Sequence, residues 1–262
     1  MYSFEFVKAA SLQEAEAADG DEVVVMAGGQ TLIPTLKQRL ASHEKIVDLS
    51  DVKDLKGIKV SGGTVTIGAM TTHAEVAANK DVAKAIPALA ALAEGIGDPA
   101  VRNRGTIGGS IANNDPAADY PAAVVGLGAT VTTNKREIAG DDFFEGLFET
   151  ALDGGEIVTS VSFPVPKKAA YSKFPNPASR YAIVGVFTAE TKDGARVAVT
   201  GARDCVFRIG DMESALGGKW SADAVADISI GASGLNADIH ASAEYRAHLV
   251  TVMAKRAVAA AN

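Results

Sequence analysis

"VVVMAGGQTLIP", residues 23–34, is the stretch on which the reading of the fold turns. Val23 to Met26 make a continuous apolar run rich in β-branched residues, which reads as a strand buried on both faces. Leu32, Ile33, Leu36 and Leu40 then recur at helical spacing, and Pro34 suits a first turn. Between strand and helix stand Gly28 and Gly29, side by side. Glycine gives up more chain entropy on folding than any other residue, so the pair implies something close enough to the turn to exclude a side chain. Consecutive N–H groups at such a turn form a concavity for an anion, reinforced by the positive end of the helix dipole. Taken alone, the pair also fits a plain structural turn.

Outward from this stretch, "KIVDLS" (residues 45–50) reads as a second buried strand, giving a βαβ unit with an expected right-handed crossover. After Gly57 the pattern changes to a hairpin around Ser61-Gly62-Gly63. Thr72 and Glu75 have capping-box spacing before "THAEVAAN", and an apolar helix follows with a kink or restart at Pro87. Gly95 to Asp119 reads as a long polar, glycine-rich loop, with "ATVTT" and "EIVTSVSFPVP" as later strands. Pro164 to Arg180 is rich in proline and lysine and reads as a linker holding a domain boundary. Beyond it, two antiparallel strands joined by Lys192-Asp193-Gly194 are expected. A terminal helix then carries Tyr245, Leu249, Val252 and Met253 on its apolar stripe, with Arg246, Lys255 and Arg256 off it.

Composition narrows the function classes. The 262 residues are 47% hydrophobic and carry a net charge of −7, which disfavours nucleic acid and anionic membrane as partners. A single cysteine, Cys205, excludes an internal disulfide, an iron–sulfur cluster or a zinc site on this chain, and is expected to be a small buried hydrophobe. No signal peptide and no membrane-length apolar run is read, so a cytoplasmic location is expected.

A second glycine cluster sharpens the first. "VRNRGTIGGSIANNDPAADYPA" (residues 101–122) gathers glycines, hydroxyls, amides and carboxylates in a pattern that suits a phosphorylated, hydroxyl-rich ligand. Asp119 is placed to accept hydrogen bonds from ligand hydroxyls; a solvated loop carboxylate is its alternative. Competing motifs fail. "GLGATV" (126–131) lacks the third Rossmann glycine, no Walker A loop occurs, and Leu235 spoils "GASGL" as a nucleophile elbow. His43, His73, His240 and His248 lack metal-ligand spacing and are expected to be surface or helix residues. Asp115 and Asp119 have no third ligand in sequence to make a metal site.

"AGGQTLIP" followed by "VRNRGTIGGSIANNDPAADYPA" resembles the FAD-binding medium subunit of the molybdenum hydroxylases, the group of xanthine dehydrogenase and carbon monoxide dehydrogenase. "DLSDVKDLKGI", "TIGAMTTHAEV", "GEIVTSVSFP" and "SAEYRAHLVTVMAKRAV" extend the likeness over essentially the whole chain. The resemblance implies an α+β protein. A two-lobed vanillyl-alcohol-oxidase-like (PCMH-type) FAD-binding domain at 1–166 (lobes about 1–57 and 58–166) would precede a small α+β domain at 167–262 with a three-stranded antiparallel sheet.

Carried over by residue, Ala27, Gly28, Gly29, Gln30, Thr31 and Leu32 would line the pyrophosphate and ribityl region, and Thr106, Gly108, Gly109 and Ser110 would form a second phosphate-contacting loop. Asn113 and Asp119 would contact the ribityl or diphosphate portion, Ile157 or Val158 would pack near the adenine or ring system, and Tyr181 would lie over the isoalloxazine or be a strand tyrosine at the domain joint. Gln30, Thr31 and Ser110 depart from the commoner family residues, and Ser110 has a shorter reach than the usual asparagine.

The resemblance also implies FAD held non-covalently, with no catalytic residue or metal on this chain. Molybdenum cofactor and 2Fe-2S clusters would lie on large and small partner subunits, in a heterotrimer that is itself doubled. Two other roles are compatible with the residues: a stand-alone FAD-dependent oxidoreductase of the same fold, and a binding module without flavin.

Overall fold

The N-terminal segments assemble as their patterning dictates. In a computed structural model, which describes residues 1–18, 20 and 22–261, β1 (Glu5–Lys8), β2 (Val23–Met26) and β3 (Lys45–Asp48) form a parallel sheet of order β1-β3-β2. Helices α1 (Leu12–Glu16) and α2 (Leu32–Lys37) make the crossovers. Strand β2 is not buried on both faces as its apolar run suggests, because it is an edge strand: Val25 is 36% exposed and borders a cavity. Helix α2 stops at Lys37 and Arg39 turns back through the left-handed region (φ 60°), so Leu40 lies beyond the helix, exposed.

A second, antiparallel sheet has the order β4-β5-β10-β6-β7. Its strands are β4 (Ile58–Ser61), β5 (Thr64–Gly68), β6 (Thr130–Thr133), β7 (Glu137–Ala139) and β10 (Val158–Pro164), with a small hairpin, β8 (Phe144–Gly146) and β9 (Glu149–Thr150), between the last two. Six helices separate β5 from β6: α3 (His73–Ala78), α4 (Lys80–Ala85), α5 (Pro87–Glu94), α6 (Pro99–Arg102), α7 (Ile107–Asn113) and α8 (Tyr120–Gly126). Thr72 and Glu75 form the expected capping box, and Pro87 opens α5 as a separate helix. Val65, Ile67, Leu89, Ile107, Ile111, Val131, Val161 and Phe163 meet in one core between sheet and helices.

The stretch from Gly95 to Asp119 is not one loop. Asp98 caps α6 and Thr106 caps α7, each accepting from a backbone N–H three residues on. Ile107 and Ile111, four apart, bury the inner face of α7. Capping and spacing thus override the helix-weakening glycines.

The supposed linker is also structured. Residues Lys168–Pro175 form β11, paired in antiparallel register with β12 (Ala182–Thr191), as Tyr171 with Phe187 and Lys173 with Gly185. Strand β13 (Gly194–Thr200) and a two-residue β14 (Phe207–Arg208) complete the sheet, so it has four strands, three long ones and a short edge, where three were expected. Alternation explains β11: Ala169 and Tyr171 turn toward the second-sheet core, Phe174 toward the C-terminal core.

One face of this sheet packs on α8, the other on α9 (Gly210–Gly218) and α10 (Ala243–Ala260). On α10, Leu249, Val250 and Met253 are buried, whereas Tyr245 is largely exposed. Arg246, placed off the stripe by sequence, is buried: its guanidinium donates to the carbonyls of Ile183 (2.6 Å) and Gly201 (2.8 Å) and to Asp238 (2.6 Å). Cys205 is half-buried against the second-sheet core.

Candidate cofactor site

A cavity of about 530 Å³ opens between the parallel sheet, α7 and the start of β10, the central strand of the second sheet. Ala27, Gly28, Gly29, Gln30, Thr31 and Leu32 line one wall; Thr106, Gly108, Gly109, Ser110, Asn113 and Asp119 line another. Ile157 and Val158 stand behind them, and Tyr181, 47% exposed, sits at the rim. Every residue expected at the site is therefore brought to one hollow, from segments far apart in the chain.

The two glycine segments build it differently. Gly29 lies in the left-handed region (φ 70°), where a side chain is strained. Among the described residues, no acceptor takes the backbone N–H of Gly28, Gly29, Gln30 or Thr31, so the first turn offers its donors to the cavity. In α7 the corresponding donors are engaged: Ile107 N–H donates to Thr71 O, Gly108 N–H to Ala69 O (2.8 Å), Gly109 N–H to Thr106 Oγ1 (3.1 Å) and Ser110 N–H to Thr106 O. What α7 presents is side chains, Ser110 and Asn113, one turn apart on the same face. Gly108 serves packing, since a Cβ there would fall 2.5 Å from that of Ala69.

Three carboxylates, Asp115, Asp119 and Glu156, line the same cavity. Asp119, buried at the start of α8, accepts from the Tyr171 hydroxyl (2.5 Å) and the Lys173 ammonium (3.0 Å), so any ligand hydroxyl shares oxygens already in use. Burial pushes its carboxyl above the usual range, with Lys173 and then Tyr171 pulling against it. Burial likewise raises Asp115.

Glu156 goes the other way. Bonds from Arg136 (3.0 and 3.1 Å), Thr133 (2.6 Å) and the Asp153 N–H (2.8 Å) hold its carboxyl down at about 2, with Arg136 the largest influence. The neighbouring Ile157 N–H donates to Asn134 Oδ1 (2.8 Å), fixing the backbone behind the cavity. With three carboxylates and the Arg180 guanidinium among the lining residues, attraction for an anion rests on oriented N–H dipoles more than on cationic side chains.

His73 was expected on the surface or on a helix; it stands first in α3, buried in the cavity wall. Its ring packs on Tyr120 and against Gly105, whose Cβ, if present, would fall 2.6 Å from Nε2. Burial, and secondarily Arg102, lower it to about 4, so the imidazole is neutral near pH 7. Sequence reasoning passed over His73, Glu156, the apolar wall of Val24, Leu49 and Met70, and Arg180 at the rim. The available signals were the capping-box position of His73 and the turn chemistry of Asn176, whose Oδ1 accepts from Ala178 and Ser179 before Arg180 turns left-handed (φ 63°). Among the described residues, no group of three or more histidine, cysteine or carboxylate side chains could hold a metal, and no helix is long and apolar enough to cross a membrane.

Fold and site together define an α+β protein with a cleft shaped for an extended, phosphate-bearing cofactor. Residues 2–166 match the family of the FAD binding domain in molybdopterin dehydrogenase, and the chain belongs to that family. It is 36% identical to the glyceraldehyde dehydrogenase medium chain of Sulfolobus acidocaldarius, over 97% of this chain and 96% of the relative. It is 34% identical to the nicotine 6-hydroxylase medium subunit of Paenarthrobacter nicotinovorans, over 97% and 95%. Among solved structures, a chain of reconstituted CO dehydrogenase from Oligotropha carboxidovorans superposes with a TM-score of 0.91 at 32% identity, covering 99% of this chain and 98% of that one.

Proposed function

We propose that this chain is the FAD-binding, electron-transferring medium subunit of a molybdenum-containing hydroxylase or dehydrogenase complex. The observation that carries the reading is the set of N–H groups from Gly28 to Thr31 that have no acceptor among the described residues, at a turn with left-handed Gly29 in the wall of a cavity rich in hydroxyl, amide and apolar groups, in a chain of this family. These residues fit FAD: the nest suits a diphosphate, Ser110 and Asn113 suit ribityl hydroxyls, and Ile157 and Val158 give an apolar wall. Tyr181, at the rim, would cover the isoalloxazine ring.

FAD bound here would supply the redox chemistry that links 2Fe-2S clusters of a small partner subunit to a final acceptor. This chain contributes binding, orientation and the exclusion of water; substrate oxidation belongs to the molybdenum cofactor of a large partner. We assign the FAD-binding domain of vanillyl-alcohol-oxidase type to residues 1–166, with lobes meeting near residue 57, and the C-terminal domain to 167–262. Assembly as a dimer of heterotrimers in the cytoplasm, with FAD bound non-covalently, completes the reading.

Purification from the native source tests it. A yellow complex with two further subunits, molybdenum and iron is expected. A chain that copurifies with neither subunit and takes up no FAD overturns it, and a fully active lone flavoenzyme favours the stand-alone alternative.

A further inference from the structure

Asp119 lies in the cavity wall, yet the groups that bind its two oxygens come from a single strand of the C-terminal sheet. Tyr171 and Lys173 are two apart on β11 and so share one face. Tyr171 Oη donates to Asp119 Oδ1 at 2.5 Å and Lys173 Nζ to Oδ2 at 3.0 Å. The side chains of Lys173 and Asp119 are only 11% and 5% exposed, so solvent screens the pair little. A further bond, from Lys173 Nζ to Gly95 O at 2.8 Å, pins the ammonium in place. Gly185 makes room for the phenol, because a Cβ there would fall 2.1 Å from Tyr171 Oη.

We propose that β11 sets the charge of the cofactor cavity: Lys173 and Tyr171 hold Asp119 as a carboxylate and thereby fix it as a hydrogen-bond acceptor for FAD. Both are positioning residues, acting through Asp119. The proposal rests on the reading of Asp119 as a cofactor contact. A buried carboxyl deprived of its counter-ion takes up a proton instead of remaining charged. The other titratable groups at the cavity supply no replacement counter-charge: the Asp115 carboxyl is itself raised by burial, and the phenols of Tyr120 and Tyr181, both raised by burial, remain neutral near pH 7.

Titration of the full chain with FAD between pH 6 and pH 9, followed by flavin fluorescence, tests this. The native chain is expected to bind with a constant that barely changes over the range. Lys173→Met is expected to bind about fivefold more weakly at pH 6 than at pH 9, the difference between a charge-assisted and a neutral acceptor. Lys173→Arg restores the flat profile, and Tyr171→Phe gives a smaller change of the same sign. A flat profile from a Lys173→Met chain with native circular dichroism overturns the proposal. If that variant does not fold, a flat profile from Tyr171→Phe does so. Asp119→Asn separates the two levels: native affinity there defeats the reading of Asp119 as a cofactor contact, whereas weakened affinity with a flat Lys173→Met profile defeats only the proposal.

Discussion

A Cβ on Gly28 would lie 1.9 Å from the carbonyl oxygen of Arg104, so the two glycine segments meet backbone to backbone. The first thing that excludes a side chain from the opening turn is therefore the other segment, with Gly105 Cα 3.0 Å away, and any cofactor comes after it. The same turn lines the cavity, and the N–H groups of residues 28 to 31 have no acceptor among the described residues. Folding and cofactor binding thus share one constraint.

Gly28→Val is expected to separate the segments and yield flavin-free protein with lowered stability, by about 3 kcal/mol for overpacking against rigid backbone. Gly108→Val, whose Cβ would sit 2.8 Å from Ala69 O, behaves alike. Visible absorbance and thermal melting check both; a fully yellow variant with native melting contradicts the contact as drawn.

Ser110 and Asn113 line the same cavity, but among the described residues their side chains have no hydrogen-bond partner within the chain. Truncating either to alanine leaves the fold intact and removes a bond to FAD, weakening binding by about fivefold for roughly 1 kcal/mol. Unchanged melting with raised dissociation constants is the expected pair of results. Loss of stability with unchanged binding would reverse the assignment.

Glu156 links acid stability to the same wall. Its carboxyl is held at about 2 in the fold against an ordinary 4.5, so its contribution is complete above 4.5 and fades as pH falls through about 2. Glu156→Gln is expected to lose about 2 kcal/mol at pH 7 through its charge-assisted bonds, and less at pH 3. Urea unfolding at the two pH values measures the difference; equal losses would show that the charge is not what matters.

Much of the site was legible because its residues announce themselves locally. Paired glycines at a strand–helix junction and the Thr72–Glu75 box each carry their geometry in a few neighbouring letters, whereas the Thr106 cap lay unread in a stretch that reads as a loop. What escaped depends on distant partners. Proline and lysine made residues 164 to 180 look like a linker, while the strand at Lys168–Pro175 is stabilised by its ladder with β12 and by Tyr171 stacking on Phe187. Arg246 looked like a solvated charge because the carbonyls of Ile183 and Gly201 that accept from it lie on other elements. His73 looked peripheral because the glycine segment that buries it comes 32 positions later, at Gly105.

Arg246→Met tests that buried guanidinium. The apolar stem is retained, but two carbonyls and Asp238 lose their donor. A loss of about 3 kcal/mol is expected in urea unfolding, larger than for an exposed arginine of the same helix such as Arg256. Equal effects at the two positions would mean that the carbonyls find water instead.

His73 gives a second, separate pH window. Its imidazole is at about 4 in the fold against an ordinary 6.5, so between those values the unfolded chain binds more protons. Its contribution is complete above 6.5 and is lost progressively as pH falls toward 4, for the most part above the 4.5 at which that of Glu156 starts to fade. Nδ1 has no partner among the described residues, so the ring can be replaced without breaking a hydrogen bond at that atom. His73→Phe is therefore expected to reduce the drop in melting temperature between pH 7 and pH 5, at some cost from the larger ring against Gly105. A drop as large as that of the native chain would mean that His73 is already charged in the fold, or that water reaches it.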